Sequence, residues 1–192
     1  MPTARTRCWG TGDPLMEPYH DLEWGTPLRD DRLLFEHLTL DCFQAGLSWR
    51  TVLYKREAFR RAFDGFDPER IARYGSRDFA RLLGDAAIIR NRQKIEAAIS
   101  NARAYMTMKE VGESFADFLW SFTAGETLLG KPARRWEQIP ASSPESDAMA
   151  AALRQRGFRF VGTTICYAFM QAVGIVDDHM VGCFRYQRRR PA

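Results

Sequence analysis

Hydrophobic residues recur at helical spacing along most of this chain. Apolar positions between residues 33 and 38 predict a first helix, for which Asp30 or Asp31 is the N-cap. A second helix is predicted from the spacing of Val52, Leu53, Phe59 and Phe63.

Capping residues and glycines set the bounds of the later helices. Asp67-Pro68-Glu69 supplies an N-cap, a first-turn proline and a first-turn acid, and the segment from Ser114 to Asp117 resembles a capping box. The other predicted helices run from Ser76 to Gly84, from Ile95 to Met108 with an end near Gly112, from Ser143-Pro144 to Gly157, and from Thr163 to Val173 before Gly174.

Strand patterns are almost absent from the sequence. The segment 158–161 is the only candidate strand, and it is short. Residues 124–142 have the mixed composition of a long loop, and there is no repeat or low-complexity segment. The predicted fold is all-α, with many short helices that share hydrophobic cores.

Length and composition predict a globular protein. The 192 residues suffice for one large domain or two small helical lobes, and 45% hydrophobic with 12% aromatic residues exclude a disordered chain. No apolar run is long enough to span a membrane, and the start of the chain lacks the apolar stretch of a signal peptide. A cytoplasmic location is therefore expected, in which Cys42 and Cys166 are reduced core thiols.

Basic residues exceed acidic ones enough to suit a polyanionic partner. The net charge is +4 and the isoelectric point about 9.0. Much of the excess lies in three clusters: Arg90, Arg92 and Lys94; Arg154, Arg156 and Arg159; and Arg188, Arg189 and Arg190. The last cluster is expected to be a solvated tail.

Two cysteines and two of the three histidines lie near opposite ends of the chain, as Cys8 and His20 and as His179 and Cys183. Two Cys and two His complete the tetrahedral shell of a structural zinc ion. The spacing of the second pair places both side chains on one face of a helical turn. From composition alone, two buried thiols and two hydrogen-bonded imidazoles are the more common arrangement.

The segment 83–94 has the pattern of a helix–hairpin–helix element. A helix ends at Gly84, a tight apolar turn follows, and the next helix begins with Arg90, Arg92 and Lys94. Cations at a helix N-terminus oppose the helix dipole, and a bound phosphate would remove that conflict. An ordinary pair of helices with solvated charges explains the spacing equally well.

Eight segments, in order and over nearly the whole chain, resemble the 3-methyladenine DNA glycosylase I family of bacterial base-excision repair enzymes, within the helix–hairpin–helix superfamily. The segments are Asp13–Leu15, Tyr19–Gly25, Gln44–Trp49, Ile88–Ile95, Asn101–Tyr105, Phe118–Phe122, Gly157–Tyr167 and Asp178–Cys183.

The resemblance implies an enzyme that hydrolyses the N-glycosidic bond of N3-methyladenine in alkylated double-stranded DNA and leaves an abasic site. It implies a single glycosylase unit over residues 1–192 in the bacterial cytosol, with a helix–hairpin–helix at about 76–108. It also implies one structural zinc per chain, held by segments 8–20 and 179–183 through Cys8, His20, His179 and Cys183. No organic cofactor and no membrane are expected, and a monomer is the default.

The family's aromatic pocket residues fall on Tyr19, Trp49 and Trp9, whose ring faces suit a cationic base. Trp9 follows its cysteine one residue earlier than in the family pattern, whereas Trp24 is expected to pack in the core. Asp41 stands where the family has a glutamate that binds the adenine edge.

Two differences from the family pattern adjoin each other at this point. The carboxylate of Asp41 lies about 1.5 Å further back than that of a glutamate, and Cys42 stands where the family often has glycine. A carboxylate at the end of a helix with no role in the pocket is the alternative for Asp41.

The resemblance places Gly46, Leu47 and Ser48 on the DNA-binding face. Leu47 is the expected wedge that fills the gap left by the extruded base, and burial in the core is its alternative. Arg90, Arg92 and Lys94 are expected to contact phosphates, so Lys94 is not expected to act in a lyase step.

The sequence is also compatible with two other functions. A glycosylase with the same fold but a different base preference would account for Asp41 and Cys42. A non-catalytic module that binds damaged DNA would keep Tyr19, Trp49 and Asp41 and release no base.

Overall fold

The structure is a computed structural model that describes residues 5–188, and it is mostly helical over that range, as predicted. The helices are α1 (Met16–Leu22), α2 (Asp31–Gln44), α3 (Trp49–Leu53), α4 (Arg56–Ala62), α5 (Pro68–Ala72), α6 (Ser76–Gly84), α7 (Arg92–Glu110), α8 (Phe115–Trp120), α9 (Pro144–Gln155), α10 (Thr163–Ala172) and α11 (Phe184–Arg188). Short 3-10 turns lie at Asp64–Phe66, Ser121–Thr123 and Trp136–Gln138. Of the predicted basic tail, the backbone of Arg188 ends α11, and Arg189 and Arg190 lie outside the described residues.

Side chains cap four of these helices as the sequence predicts. The side chains of Asp30, Asp67, Ser114 and Ser143 each accept a hydrogen bond from a backbone N–H in the first turn of the following helix. The sequence suggests Ser76 as the cap of the helix that ends at Gly84, but Ser76 is instead the first residue of that helix, one position after the cap. The N-cap of α6 is Gly75, whose N–H donates to the carboxylate of Asp78.

The second predicted helix is two helices, α3 and α4, with a break at residues 54–55. Ser48 caps α3 by accepting a hydrogen bond from the N–H of Thr51. The apolar residues that suggested one helix are nevertheless all buried: Val52, Leu53, Phe59 and Phe63. Spacing alone could not separate one long helix from two short ones that bury the same face.

The candidate strand at residues 158–161 does not form. This segment is irregular, Phe160 has a φ of 56°, and the side chain of Asn101 bonds to both the N–H (2.7 Å) and the C=O (3.1 Å) of Arg159. Two unpredicted strands, β1 (Leu128–Leu129) and β2 (Val176–Asp177), form a short parallel pair.

Helix α2 lies at the centre of the fold, and every residue from 34 to 43 is buried. It packs against α3, α7, α8 and α10. A helix buried on all sides is usually apolar throughout, yet α2 also buries Glu36, His37, Thr39 and Asp41. Glu36 pairs with Arg60. The buried position of Asp41 is explained by the cavity described below.

No helix among residues 5–188 combines the length and the apolar character needed to cross a membrane.

Candidate functional site

A cavity of about 320 Å³ opens beside α1, α2, α3 and α10. Its size is at the lower end of the range of about 300–1,000 Å³ for small-molecule sites. Its lining is mostly aromatic and apolar, and consists of Trp9, Met16, Tyr19, Trp24, Asp41, Gln44, Trp49, Trp136, Ala168, Gln171 and Ala172.

Helix α2 brings one carboxyl group to this cavity. Asp41 lies in the last turn of α2, and Gln44 follows three residues later on the same face. Asp41 is only 2% exposed, and its Oδ2 is buried without a hydrogen-bond partner. An unpaired buried carboxyl oxygen costs free energy, so a ligand that donates a hydrogen bond there would stabilise the site.

The ionisation of the cavity is governed by burial. Burial raises the pKa of Asp41 well above its ordinary value. The pKa of Tyr19 is also raised, first by burial and then by the neighbouring charge of Asp41. The cavity therefore favours the Asp41 carboxylate only beside a positive charge or a strong hydrogen-bond donor.

Five aromatic rings form a connected series around the cavity. The ring centroids are 6.5 Å apart for Trp136 and Trp24, 5.3 Å for Trp24 and Trp9, 5.9 Å for Trp9 and Tyr19, and 5.0 Å for Tyr19 and Trp49. Electron-rich ring faces attract cations. The indole N–H groups of Trp9 and Trp49 are buried without a partner, so both remain available as hydrogen-bond donors.

The structure brings together all four residues that the sequence assigned to base recognition, since Tyr19, Asp41, Trp49 and Trp9 line this one cavity. Trp24 is buried as expected, and its ring also forms part of the wall. Six further lining residues were not predicted from the sequence: Met16, Gln44, Trp136, Ala168, Gln171 and Ala172. Of these, only Gln44 could have been found from the sequence, because its spacing from Asp41 places both side chains on one helix face.

A second site lies between the two ends of the described chain. The ligand atoms of Cys8, His20 and Cys183 lie within 4.8 Å of one another, and this group can hold a metal ion. The backbone N–H of Met180 donates to Cys8 Sγ (3.1 Å), and that of Arg185 donates to Cys183 Sγ (3.4 Å). A hydrogen bond from Cys8 and a second from His20 lower the pKa of Cys183, while the contact with Cys183 raises the pKa of Cys8. The pair therefore favours one thiolate, the form that binds metals.

Each predicted histidine ligand forms a hydrogen bond with a carboxylate through its Nδ1 atom. Nδ1 of His20 bonds to Asp21 (2.9 Å), and Nδ1 of His179 bonds to Asp177 (2.7 Å). Such carboxylates orient metal-binding histidines and leave Nε2 for the ion. Nε2 of His179 is buried without a hydrogen-bond partner, although this residue stands beside the group of three rather than within it.

The predicted helical turn from His179 to Cys183 is wrong. The segment is an irregular turn in which Gly182 has a φ of 98° and the N–H of Cys183 donates to the C=O of Met180. Gly25 allows the close approach of the His179 ring, because a Cβ at this position would lie 2.7 Å from its Cε1.

The predicted hairpin consists of α6, the segment 85–91 and α7. Asn91 caps α7, and Lys55 Nζ donates to the C=O of Ala87 at 2.9 Å. Arg90 and Arg92 are exposed at this hairpin.

The position of Lys94 corrects its predicted role as a phosphate contact. Lys94 is only 6% exposed, and its Nζ donates to the C=O groups of Phe43 (2.8 Å) and Ala45 (2.5 Å). These carbonyls lie at the C-terminal end of α2, where a cation is favourable and the last carbonyls lack helical partners. Lys94 therefore fixes the end of the helix that carries Asp41.

We expect Lys94→Met to lower the free energy of unfolding by about 2–3 kcal/mol, because two hydrogen bonds from a charged donor are lost and two carbonyls are left unpaired. Arg92→Met, an exposed neighbour, should change it by less than about 0.5 kcal/mol. Urea unfolding of both variants measures the difference. Unchanged stability of Lys94→Met together with weaker DNA binding would instead support the phosphate role.

The turn at residues 45–48 projects from the protein between α2 and α3. Gly46 has a φ of 76°, which favours glycine, and Leu47 is 42% exposed. The alternative of burial in the core is therefore wrong for Leu47.

Comparisons with known proteins give one consistent result. The family model described as methyladenine glycosylase matches residues 9–186. DNA-3-methyladenine glycosylase 1 of Escherichia coli (strain K12) is 52% identical over 186 residues, which are 96% of this chain and 99% of that protein.

Solved structures agree with the sequence comparisons. A crystal structure of 3-methyladenine DNA glycosylase I has a TM-score of 0.90 at 56% identity and covers 93% of this chain and 98% of its own. A structure from Staphylococcus aureus, described as the basis of 3-methyladenine recognition, has a TM-score of 0.87 at 34% identity and covers 92% and 94%.

Proposed function

Because this chain belongs to the methyladenine glycosylase family, we propose that it is a DNA glycosylase that removes N3-methyladenine from alkylated double-stranded DNA. It hydrolyses the N-glycosidic bond and leaves an abasic site. The observation that carries this proposal is the aromatic cavity, in which Asp41 Oδ2 and the indole N–H groups of Trp9 and Trp49 are buried without partners.

The chemistry of the damaged base matches this cavity. Alkylation at N3 gives the adenine ring a positive charge in the nucleotide, and aromatic faces such as Tyr19 and Trp49 attract a flat cation. The exocyclic amine of adenine can donate to Asp41, and its ring nitrogens can accept from the indole N–H groups of Trp9 and Trp49. The cation also favours the charged form of Asp41, which burial alone disfavours.

Bond cleavage requires little from the protein beyond this recognition. The C1′–N9 bond breaks and its electron pair goes to the base, which leaves uncharged while positive charge develops on the sugar. A water molecule then adds to C1′ and loses a proton. The carboxylate of Asp41 stabilises the positive charge as it moves from base to sugar, and we assign no separate general base.

The DNA face is formed by Gly46, Leu47 and Ser48, together with Arg90 and Arg92 of the hairpin. The two exposed guanidinium groups and the hairpin backbone N–H groups suit phosphate oxygens. The exposed Leu47 enters the base stack and occupies the space of the extruded nucleotide. Lys94 acts indirectly, by fixing the end of α2.

We expect Leu47→Ala to lower the single-turnover rate on duplex DNA about 10-fold, because the space left by the extruded base is no longer filled. The rate on single-stranded methylated DNA should change less than about 2-fold, since little unstacking is needed there. Val111→Ala, at a second exposed apolar position, is the control. Equal losses on both substrates would contradict the wedge role.

Zinc is the ion that suits the second site, and Cys8, His20, Cys183 and His179 would hold it. Their donor set is that of a closed structural site, and two ligands of one tetrahedral zinc lie about 3.6 Å apart. Cys183 Sγ and His20 Nε2 are 3.5 Å apart, and Nε2 of His179, which is buried without a hydrogen-bond partner, would supply the fourth donor. A bound ion would stabilise the fold by joining the two ends of the described chain.

The direct test is chromatographic detection of bases released from methylated duplex DNA by the purified protein. Free 3-methyladenine, abasic sites and intact strands are expected, with no covalent adduct after borohydride treatment. Release of other alkylated bases in preference would indicate a changed base specificity. Lesion binding without release of any base would indicate a binding module and contradict the proposal.

A further inference from the structure

We propose that Trp136 is a further specificity-determining residue, which covers the mouth of the cavity and stacks on the positively charged purine. This inference rests on the proposed function. The ring of Trp136 would favour cationic N-alkylated purines over neutral bases.

The exposure of Trp136 is the first observation. Trp136 is 53% exposed, although burial of an indole side chain away from water is favourable. The same residue lines the cavity and approaches the buried ring of Trp24 with 6.5 Å between centroids. Trp136 therefore offers a large aromatic surface that a ligand in the cavity can cover.

The arrangement of the rings is the second observation. The aromatic series around the cavity has Trp136 at one end and Trp49 at the other, and no ring contact joins these two ends among residues 5–188. Both end rings are at least partly exposed, whereas Trp24 and Tyr19 between them are buried. Trp136 and Trp49 both line the cavity, so a flat molecule bound there could contact aromatic groups at both ends of the series.

The loop that carries Trp136 is held in place without a ligand. Gln138 Oε1 accepts hydrogen bonds from the N–H groups of Arg134 (2.7 Å) and Arg135 (3.2 Å), which closes the turn around Trp136. The C=O of Ala133 accepts from the N–H of Val181 at 2.8 Å. The backbone that carries the indole is thus ordered before binding, which reduces the entropy lost when a ligand binds against the ring.

A tight contact fixes the start of the same loop. The N–H of Gly130 donates to the C=O of Asp177, and a Cβ at Gly130 would overlap the carboxylate of Asp178. That carboxylate accepts from Gln171 Nε2 at 2.7 Å, and Gln171 also lines the cavity. The loop and the cavity wall therefore share one buried network.

An aromatic face at this position distinguishes bases by charge. A ring attracts a cation more strongly than a neutral base of the same shape. Stacking on Trp136 should therefore raise the affinity for an N3-alkylated adenine more than for unmodified adenine. Leucine would retain much of the apolar surface without the π face, and phenylalanine would retain a smaller π face.

The test compares Trp136→Leu and Trp136→Phe with the wild type on methylated duplex DNA. We expect KM to rise about 3- to 30-fold in Trp136→Leu with kcat within about 2-fold, which corresponds to the usual range for a cation–π contact. Trp136→Phe should retain most of the affinity, and Glu137→Gln, an exposed neighbour, should match the wild type. Unchanged KM in Trp136→Leu, or equal losses in both variants, would overturn the role of the ring.

A titration with 3,9-dimethyladenine, which is cationic because both N3 and N9 are alkylated, separates this inference from the proposed function. If the wild type releases no 3-methyladenine from DNA, the proposed function fails, and the titration alone still reports whether Trp136 contacts a cationic purine. Weaker binding of this cation by Trp136→Leu than by Trp136→Phe, with smaller differences for the neutral 9-methyladenine, supports the inference. Equal binding of the cation by the wild type and both variants contradicts it. Circular dichroism of the variants verifies that the helical fold is retained.

Discussion

Asp41→Asn is expected to lower the rate of 3-methyladenine release at least about 100-fold, and at the same time to make the protein more stable. The loss follows because an amide cannot stabilise the positive charge that moves from base to sugar, and such electrostatic contributions are commonly worth about 10²–10³ in rate. The gain in stability follows because the unpaired, buried carboxyl group is replaced by an uncharged group of the same shape.

The pH dependence of this effect has a definite sign. Burial raises the pKa of Asp41 in the folded protein, so above the ordinary value of 3.8 the folded state holds a proton that the unfolded chain has released. The contribution of Asp41 to stability is therefore present below that value and is lost as the pH rises through the folded pKa. An amide does not titrate in this range, so the Asp41→Asn variant should exceed the wild type in stability most clearly at neutral pH.

Thermal unfolding between pH 4 and pH 8, beside single-turnover base release, measures both effects. An increase of about 1–2 kcal/mol at neutral pH corresponds to about 2–8 °C in Tm for a chain of this size. Asp117→Asn, at an exposed position, is the control and should change neither property. Retained activity in Asp41→Asn would show that the carboxylate is not needed, and a lower Tm would show that the buried carboxyl has a structural role.

Cys183→Ser is expected to remove the bound metal and to lower Tm by more than about 10 °C. A serine hydroxyl is a poor ligand for zinc, and structural zinc sites contribute folding free energy directly. A loss of about 4 kcal/mol already corresponds to about 8–16 °C for a protein of this size. The segment that carries Trp9 and Tyr19 would then be joined less firmly to the rest of the fold.

Elemental analysis of the purified proteins is the primary measurement for this variant. The wild type should contain one zinc per chain, and Cys183→Ser should contain much less. Asp177→Asn should have an intermediate zinc content, because removal of a carboxylate that orients a histidine ligand weakens metal binding about 10- to 100-fold. Cys166→Ala removes another buried cysteine and should keep its zinc. Equal zinc content in Cys166→Ala and Cys183→Ser would exclude the proposed ligand set.

The local parts of the fold could be predicted because their causes are local. Asp67-Pro68-Glu69 and Ser143-Pro144 begin helices through side-chain and proline chemistry within one turn. The strand pair could not be predicted, since Leu128–Leu129 and Val176–Asp177 are two residues each and exist only because distant segments meet. The same holds for the turn from His179 to Cys183, whose shape depends on contacts outside the segment.

Site residues that lie within a family motif could be predicted from the sequence. Site residues whose position depends on tertiary contacts could not. Trp136 lies in a loop of mixed composition, and its approach to Trp24 follows from backbone contacts with residues 176–181. Lys94 stands in a basic run at a helix start, which suggests exposure. Its reach to the carbonyls of Phe43 and Ala45 joins positions about fifty residues apart, and no local pattern contains that information.

The contact between Cys8 and Met180, which are 172 positions apart in the chain, has a consequence for biosynthesis. A ribosome produces Trp9 and Tyr19 long before residues 179–183, the segment that anchors them. The nascent chain can form α2 and its neighbours while it grows, yet its lesion cavity lacks a fixed wall until residues 179–183 are made. Chains that terminate before residue 179 would therefore lack an assembled cavity.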